Sequence, residues 1–163
     1  MYVPSCTWSN HWNVLKDAGV AAEPYSYLDA SGLRLDWAAA LKDLEAADDG
    51  SVVLLHLCAH NPSGVDPTRE QWETLAELCA KKGFLPVFDS AYQGYASGDL
   101  DADAASVRAF EAAGVLPVVW SRFLGGGKAV PTFFAAFAPK AQGAVAAVSI
   151  AAGSATHGVS LDA

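Results

Sequence analysis

From the first residue to about position 120, short apolar runs alternate with stretches in which apolar residues recur every three or four positions, the pattern of strands exchanging with amphipathic helices. Ser9 and Asn10 can cap a helix that runs through Val14, Leu15 and Ala18 and stops at Gly19. Residues 25–28 read as a short strand. Asp36 precedes Trp37, Ala40, Leu41 and Leu44 at helical spacing, giving a second helix that ends near Gly50. The run Val52-Val53-Leu54-Leu55-His56-Leu57 is apolar on both faces, as a strand covered by helices on both sides must be. After the turn chemistry of Asn61-Pro62-Ser63-Gly64, Thr68 and Gln71 form a capping box that opens a helix with Trp72, Leu75, Leu78 and Cys79 on its inner face and Gly83 at its end. Residues 84–88 are the next strand, and Pro86 within it argues against a central place, because it lacks a ladder donor. A helix over 103–113 and a strand over 115–120 complete the series. Repeated strand, helix, strand connections predict an α/β fold with a mainly parallel sheet flanked by helices.

The length, 163 residues and 17.0 kDa, suits one domain able to bury roughly 70% of its unfolded surface. With 52% hydrophobic and 17% charged residues, wholesale disorder is excluded. No stretch reaches the ~18 apolar residues of a spanning helix, and Met1 is not followed by a secretory leader, so a soluble, non-secreted chain without a membrane partner is expected. The net charge of −8 argues against nucleic acid, whose affinity comes from Lys and Arg displacing counterions. Cys6, Cys58 and Cys79 have neither CxxC spacing nor a zinc-like His cluster, and read as reduced thiols.

Past Ser121 the pattern changes. Gly125-Gly126-Gly127 opens a stretch rich in Ala, Gly, Val, Phe and Ser, with no acidic residue between Glu111 and Asp162 and no clean period. The glycines before Lys128 do not meet the GxxxxGK[ST] phosphate-loop pattern, and residues 121–163 read as a weakly specified Ala/Gly-rich tail.

In an open parallel sheet, ligands gather beyond the carboxyl ends of the strands. One such end carries His56-Leu57-Cys58-Ala59-His60-Asn61-Pro62-Ser63-Gly64, and another carries Phe88-Asp89-Ser90-Ala91-Tyr92. Each alone is compatible with ordinary turn chemistry. Together, a carboxylate and an amide on neighbouring ends can bracket a flat heteroaromatic ring. Asp89 can keep a pyridine nitrogen protonated, which is what makes pyridoxal phosphate an electron sink, and Tyr92 can reach the ring hydroxyl. Trp8 is available to stack on the ring, and His11 can hydrogen-bond Asp89; a core tryptophan and a surface histidine are the plainer alternatives.

The segments 5–11, 55–68 and 88–98 closely resemble, in order and spacing, the aspartate aminotransferase branch of the class I pyridoxal-phosphate enzymes, over residues 2 to about 119. The resemblance implies that residues 1–120 are part of the large domain of the fold-type I pyridoxal-phosphate-dependent transferase fold. It implies that Trp8 stacks on the cofactor, Asn61 and Tyr92 contact its phenolic oxygen, Asp89 pairs with its ring nitrogen and His11 supports Asp89. It further implies pyridoxal 5'-phosphate as cofactor, L-aspartate and 2-oxoglutarate as amino acid and 2-oxo acid substrates, and a homodimer.

The departures are specific. Counted without gaps from Tyr92, Gly125 stands where the family has its Schiff-base lysine and Arg122 where it has the serine of Ser-x-x-Lys; Lys128 lies three positions on. The family's second domain, its substrate-clamping arginines and its upstream phosphate loop have no counterpart in the sequence. A frameshift, a mis-predicted exon or a truncated gene copy would produce such a change near residue 120. Three readings follow: an aspartate aminotransferase-like enzyme, a catalytically dead remnant that binds the cofactor or a full-length partner, and a product with no stable fold. Lacking an Arg-rich presequence, the chain is expected in the cytoplasm.

Overall fold

The computed structural model describes residues 1–120 with their side chains and, beyond them, only the strand backbone at 121, 124–125, 128–129, 133–136 and 146–149. The elements are β1 (Tyr2–Pro4), α1 (Asn10–Asp17), β2 (Glu23–Tyr25), α2 (Trp37–Ala46), β3 (Val52–His56), α3 (Arg69–Lys82), β4 (Leu85–Ser90), α4 (Leu100–Asp103), α5 (Ala105–Ala112), β5 (Val118–Ser121), β6 (Leu124–Gly125), β7 (Lys128–Ala129), β8 (Phe133–Ala136) and β9 (Ala146–Ser149). One sheet has the order β2-β1-β3-β4-β5-β8-β9. Its first four pairings are parallel, and β8 and β9 add antiparallel strands at one side. The expected α/β class with a mainly parallel sheet therefore holds.

Period-two alternation divides the core between the two faces of that sheet. Val53, Leu55 and Phe88 join the larger cluster with Leu44, Trp72, Leu75 and Phe110 from α2, α3 and α5. Leu54 and Val87 point the other way, with Val3, against Trp12 and Leu15 of α1. Helix α3 follows its sequence signals closely. The Thr68 side chain accepts from the Gln71 amide, the Gln71 side chain answers at the Thr68 amide, and Gly83 closes the helix at φ +63, a conformation cheap only for glycine.

Several expectations need correction. Pro86 lies in the middle of the sheet, with β4 between β3 and β5. The Leu85 amide donates to Ser51 and the Asp89 carbonyl accepts from Leu57, so the odd positions of β4 face β3 and the even ones face β5. Pairing with β5 begins only at Val87, so the proline's missing N–H removes no bond. Ser9 makes no capping bond, because its backbone is already helical (φ −54, ψ −28). The strand expected over 25–28 is displaced to Glu23–Tyr25, an edge position that tolerates Pro24, and Leu28 instead bridges to Leu35. The helix expected over 103–113 is two helices broken at Ala104, since the Asp103 side chain turns back to serve the preceding loop. The last strand of that series begins at Val118 rather than at residue 115. In the segment read as lacking any period, β6 to β9 form, β6 pairing with β7 so that Gly125 opposes Lys128. Their side chains, and Arg122, lie outside the described residues.

Candidate cofactor site at the strand ends

The register of the sheet sets His56 beside Asp89 and Asp89 beside Trp120, a row across the ends of β3, β4 and β5. Helix α1 lays His11 over that row. Its ring centroid is 5.4 Å from His56, 6.0 Å from Trp120 and 5.4 Å from Trp8, the last edge-on. His11 is 1% exposed and Asp89 8%, and His11 Nε2 meets Asp89 Oδ2 at 3.0 Å. The surface histidine considered from sequence is thus a buried one, and the expected contact with Asp89 is made.

Two further residues complete the network. Thr7 Oγ1 lies 2.9 Å from His11 Nδ1 and 2.8 Å from His56 Nε2, and the backbone N–H of Asn61 donates to His56 Nδ1 at 3.4 Å. With both imidazoles neutral, these contacts fit one direction of donation. His56 Nδ1 accepts, so its proton sits on Nε2 and goes to the Thr7 oxygen; the single hydroxyl proton then goes to His11 Nδ1; the remaining His11 N–H points at Asp89. Burial reinforces this polarity by pushing the His56 imidazole down to about 4, against an opposing pull from Asp89. Neither Thr7 nor His56 was given a role from sequence. The available signals were a histidine inside an otherwise apolar strand and a hydroxyl four residues before His11.

The polarity has a measurable consequence. Above pH 6.5, the ordinary value, His56 is neutral in folded and unfolded chains alike; below it the unfolded chain takes up a proton that the folded chain refuses until about 4. Stability is therefore expected to fall by about 2 kcal/mol between pH 7 and pH 5 from His56 alone. Urea unfolding at the two pH values checks this, and His56→Asn should flatten the slope.

The loops leaving β3 and β4 carry the other candidates. Asn61 Nδ2 lies 3.4 Å from the Tyr92 hydroxyl, so the amide after one strand meets the phenol after its neighbour. His60 stacks on Tyr27 at 3.8 Å and 15°, and its Nδ1 meets Ser63 Oγ at 2.8 Å. Burial, aided by His56, pushes the His60 imidazole down to about 3. The donor set suits a protonated pyridine ring bearing an ionised hydroxyl. Asp89 has one oxygen occupied by His11 while a tenth of its side chain stays open, and an amide and a hydroxyl face each other at the next strand end. Among the described residues no group of His, Cys, Asp and Glu is arranged to hold a metal ion, and no helix is long and apolar enough to cross a membrane.

Comparison with known proteins identifies the family. The profile of the family "Aminotransferase class I and II" matches residues 1–121. The chain belongs to that family. Aspartate aminotransferase 1 of Medicago sativa is 54% identical over 114 residues, which is 70% of this chain and 27% of the alfalfa protein. A mitochondrial aspartate aminotransferase of Dictyostelium discoideum is 50% identical over 109 residues, 67% of this chain and 26% of its own. Among solved structures, the broad specificity aminotransferase of Leishmania mexicana superposes with a TM-score of 0.70 at 46% identity, over 74% of this chain and 31% of that one. Aspartate aminotransferase of Trypanosoma cruzi gives 0.71 at 43% identity over the same shares. The aminotransferase chain thus spans less than a third of the length of these relatives. Family membership implies pyridoxal phosphate as the cofactor.

Proposed function

We propose that this chain holds pyridoxal 5'-phosphate at the carboxyl ends of β3 and β4 and serves amino-group transfer between L-aspartate and 2-oxoglutarate. Residues 1–120 then act as part of an aminotransferase large domain, and the Ala/Gly-rich segment 121–163 follows the stretch that the family profile matches. The observation that carries the reading is the nearly buried Asp89 carboxylate, held by His11 at 3.0 Å through one oxygen with a tenth of its side chain open, while Asn61 and Tyr92 meet on the loops after the same two strands. When bound, the cofactor supplies an electron sink that eases loss of the substrate α-proton. Asp89 holds the proton on the ring nitrogen, and His11 fixes the carboxylate's orientation. Asn61 and Tyr92 donate to the phenolic oxygen, and Trp8 covers one ring face. A homodimer is proposed on the resemblance alone. A cytoplasmic location is supported by the name of a rice relative, aspartate aminotransferase, cytoplasmic, 53% identical over 114 residues, and by three free cysteines.

The transfer also needs a lysine nucleophile, and Gly125 stands at its expected position, with Lys128 across the β6–β7 pair. Tryptophan fluorescence titrated with pyridoxamine phosphate tests the binding role without requiring that lysine, and saturable quenching is expected. Absence of saturable binding overturns the reading. Borohydride treatment with pyridoxal phosphate, followed by peptide mass mapping, then separates the two levels of function. A label confined to Lys128 extends the role to catalysis, and no specific label limits it to holding the cofactor.

A further inference from the structure

The two loops that carry Asn61 and Tyr92 are closed in the same way. After β3, Asp66 accepts the backbone N–H of Ala59 at 2.7 Å and of His60 at 2.8 Å. After β4, Asp103 accepts the N–H of Gly94 at 2.7 Å and of Ser97 at 3.1 Å. In each loop one of the bonded residues has positive φ: Ala59 at +46 and Gly94 at +83. For an alanine that conformation is unfavourable and persists only where its surroundings enforce it. A Cβ added at Gly94 would lie 2.8 Å from Leu100 Cδ2. Tyr92 is tied into the same turn, its carbonyl accepting from Tyr95 and Ala96. Burial chiefly, helped by Asp103 and Asp66, pushes Cys58 up to about 12. Both also line one surface groove together with Leu57, Ser97 and Ser106. Hydrogen bonds from Ser97, Gly94 and Ala96 hold the Asp103 carboxyl below its ordinary range, so it is an acceptor at neutral pH.

We propose that Asp66 and Asp103 are paired positioning residues, each drawing two backbone N–H groups onto one carboxylate and so setting where Asn61 and Tyr92 stand. Neither residue touches the cofactor in this assignment, which rests on the proposed cofactor role of the site. An asparagine at either position offers one acceptor oxygen in place of two and turns an N–H toward the backbone N–H it should receive. Loosening the Asn61 and Tyr92 loops should cost affinity only for a ligand whose phenolic oxygen they meet.

The test uses the full chain with two probes, pyridoxamine phosphate and its 3-deoxy analogue, which lacks that oxygen. Asp66→Asn and Asp103→Asn are each expected to weaken binding of the first by about tenfold and of the second by less than about twofold. Adding Ala59→Gly to Asp66→Asn should restore part of the loss, since glycine adopts positive φ freely. Equal weakening of both probes, or none, overturns the positioning role while leaving the cofactor role intact. Failure of the unaltered chain to bind either probe overturns both. Should a variant not fold, hydrogen exchange on the unaltered chain decides the matter. The amides of Ala59, His60, Gly94 and Ser97 should gain protection with pyridoxamine phosphate and not with the 3-deoxy analogue. Equal protection by the two probes counts against the proposal.

Discussion

Asp89→Asn is expected to weaken pyridoxamine phosphate binding about a hundredfold with little change in the stability of the chain. The two effects separate because the carboxylate has two duties. Toward the protein it accepts the His11 N–H at 3.0 Å, and an asparagine carbonyl oxygen can do the same. Toward a protonated pyridine nitrogen it supplies a charge-assisted bond, worth about 1.5–3 kcal/mol, for which an amide N–H is the wrong partner. Fluorescence titration gives the affinity, and the nitrogen-15 shift of labelled pyridoxamine phosphate should report an unprotonated ring in the variant. Unchanged affinity would place the ring nitrogen elsewhere. Asp89→Ala is the contrasting case, since it strands a buried His11 N–H and adds about 1–3 kcal/mol of destabilisation.

Those features of the fold that depend on local rules were legible in the sequence. Helix α3 could be read from Thr68, Gln71 and Gly83 because capping and termination involve residues within a turn of one another. Strand β3 could be read from an unbroken apolar run. What escaped depended on distant partners. Pro86 looks misplaced until the stagger between β4 and β5 is known, and nothing near residue 86 encodes that stagger. Asp103 has the pattern of a helical residue, yet its carboxylate is engaged by Gly94 and Ser97 and the helix breaks after it. The same holds at the site. His11 and Asp89, 78 positions apart, could be paired from their chemistry and the family resemblance. The intermediate Thr7 to His56 link spans 49 positions and matters only through proton direction, which a pattern of residue types does not carry.

Phe88→Ala is expected to destabilise the chain by about 3–5 kcal/mol, a large part of the 5–15 kcal/mol typical of a single domain. Phe88 sits one residue before Asp89 on β4 with its side chain on the opposite face, fully buried. It meets Phe110 of α5 edge-on at 5.0 Å and 89°, and Trp72 of α3 at 5.9 Å, while Trp72 and Phe110 lie 6.3 Å apart. Truncation removes both the transferred apolar surface and the aromatic contacts of a three-ring cluster, and two helices anchored on a sheet cannot collapse fully into the space. Urea denaturation should show a lower midpoint with the slope little changed. The loss also reaches the site, because the strand that sets Asp89 under His11 is held from below by this cluster. Pyridoxamine phosphate should consequently stabilise the variant by mass action and raise its urea midpoint with increasing concentration. A midpoint insensitive to the ligand, in a variant that still folds, would mean that the site's geometry is lost with the core beneath it.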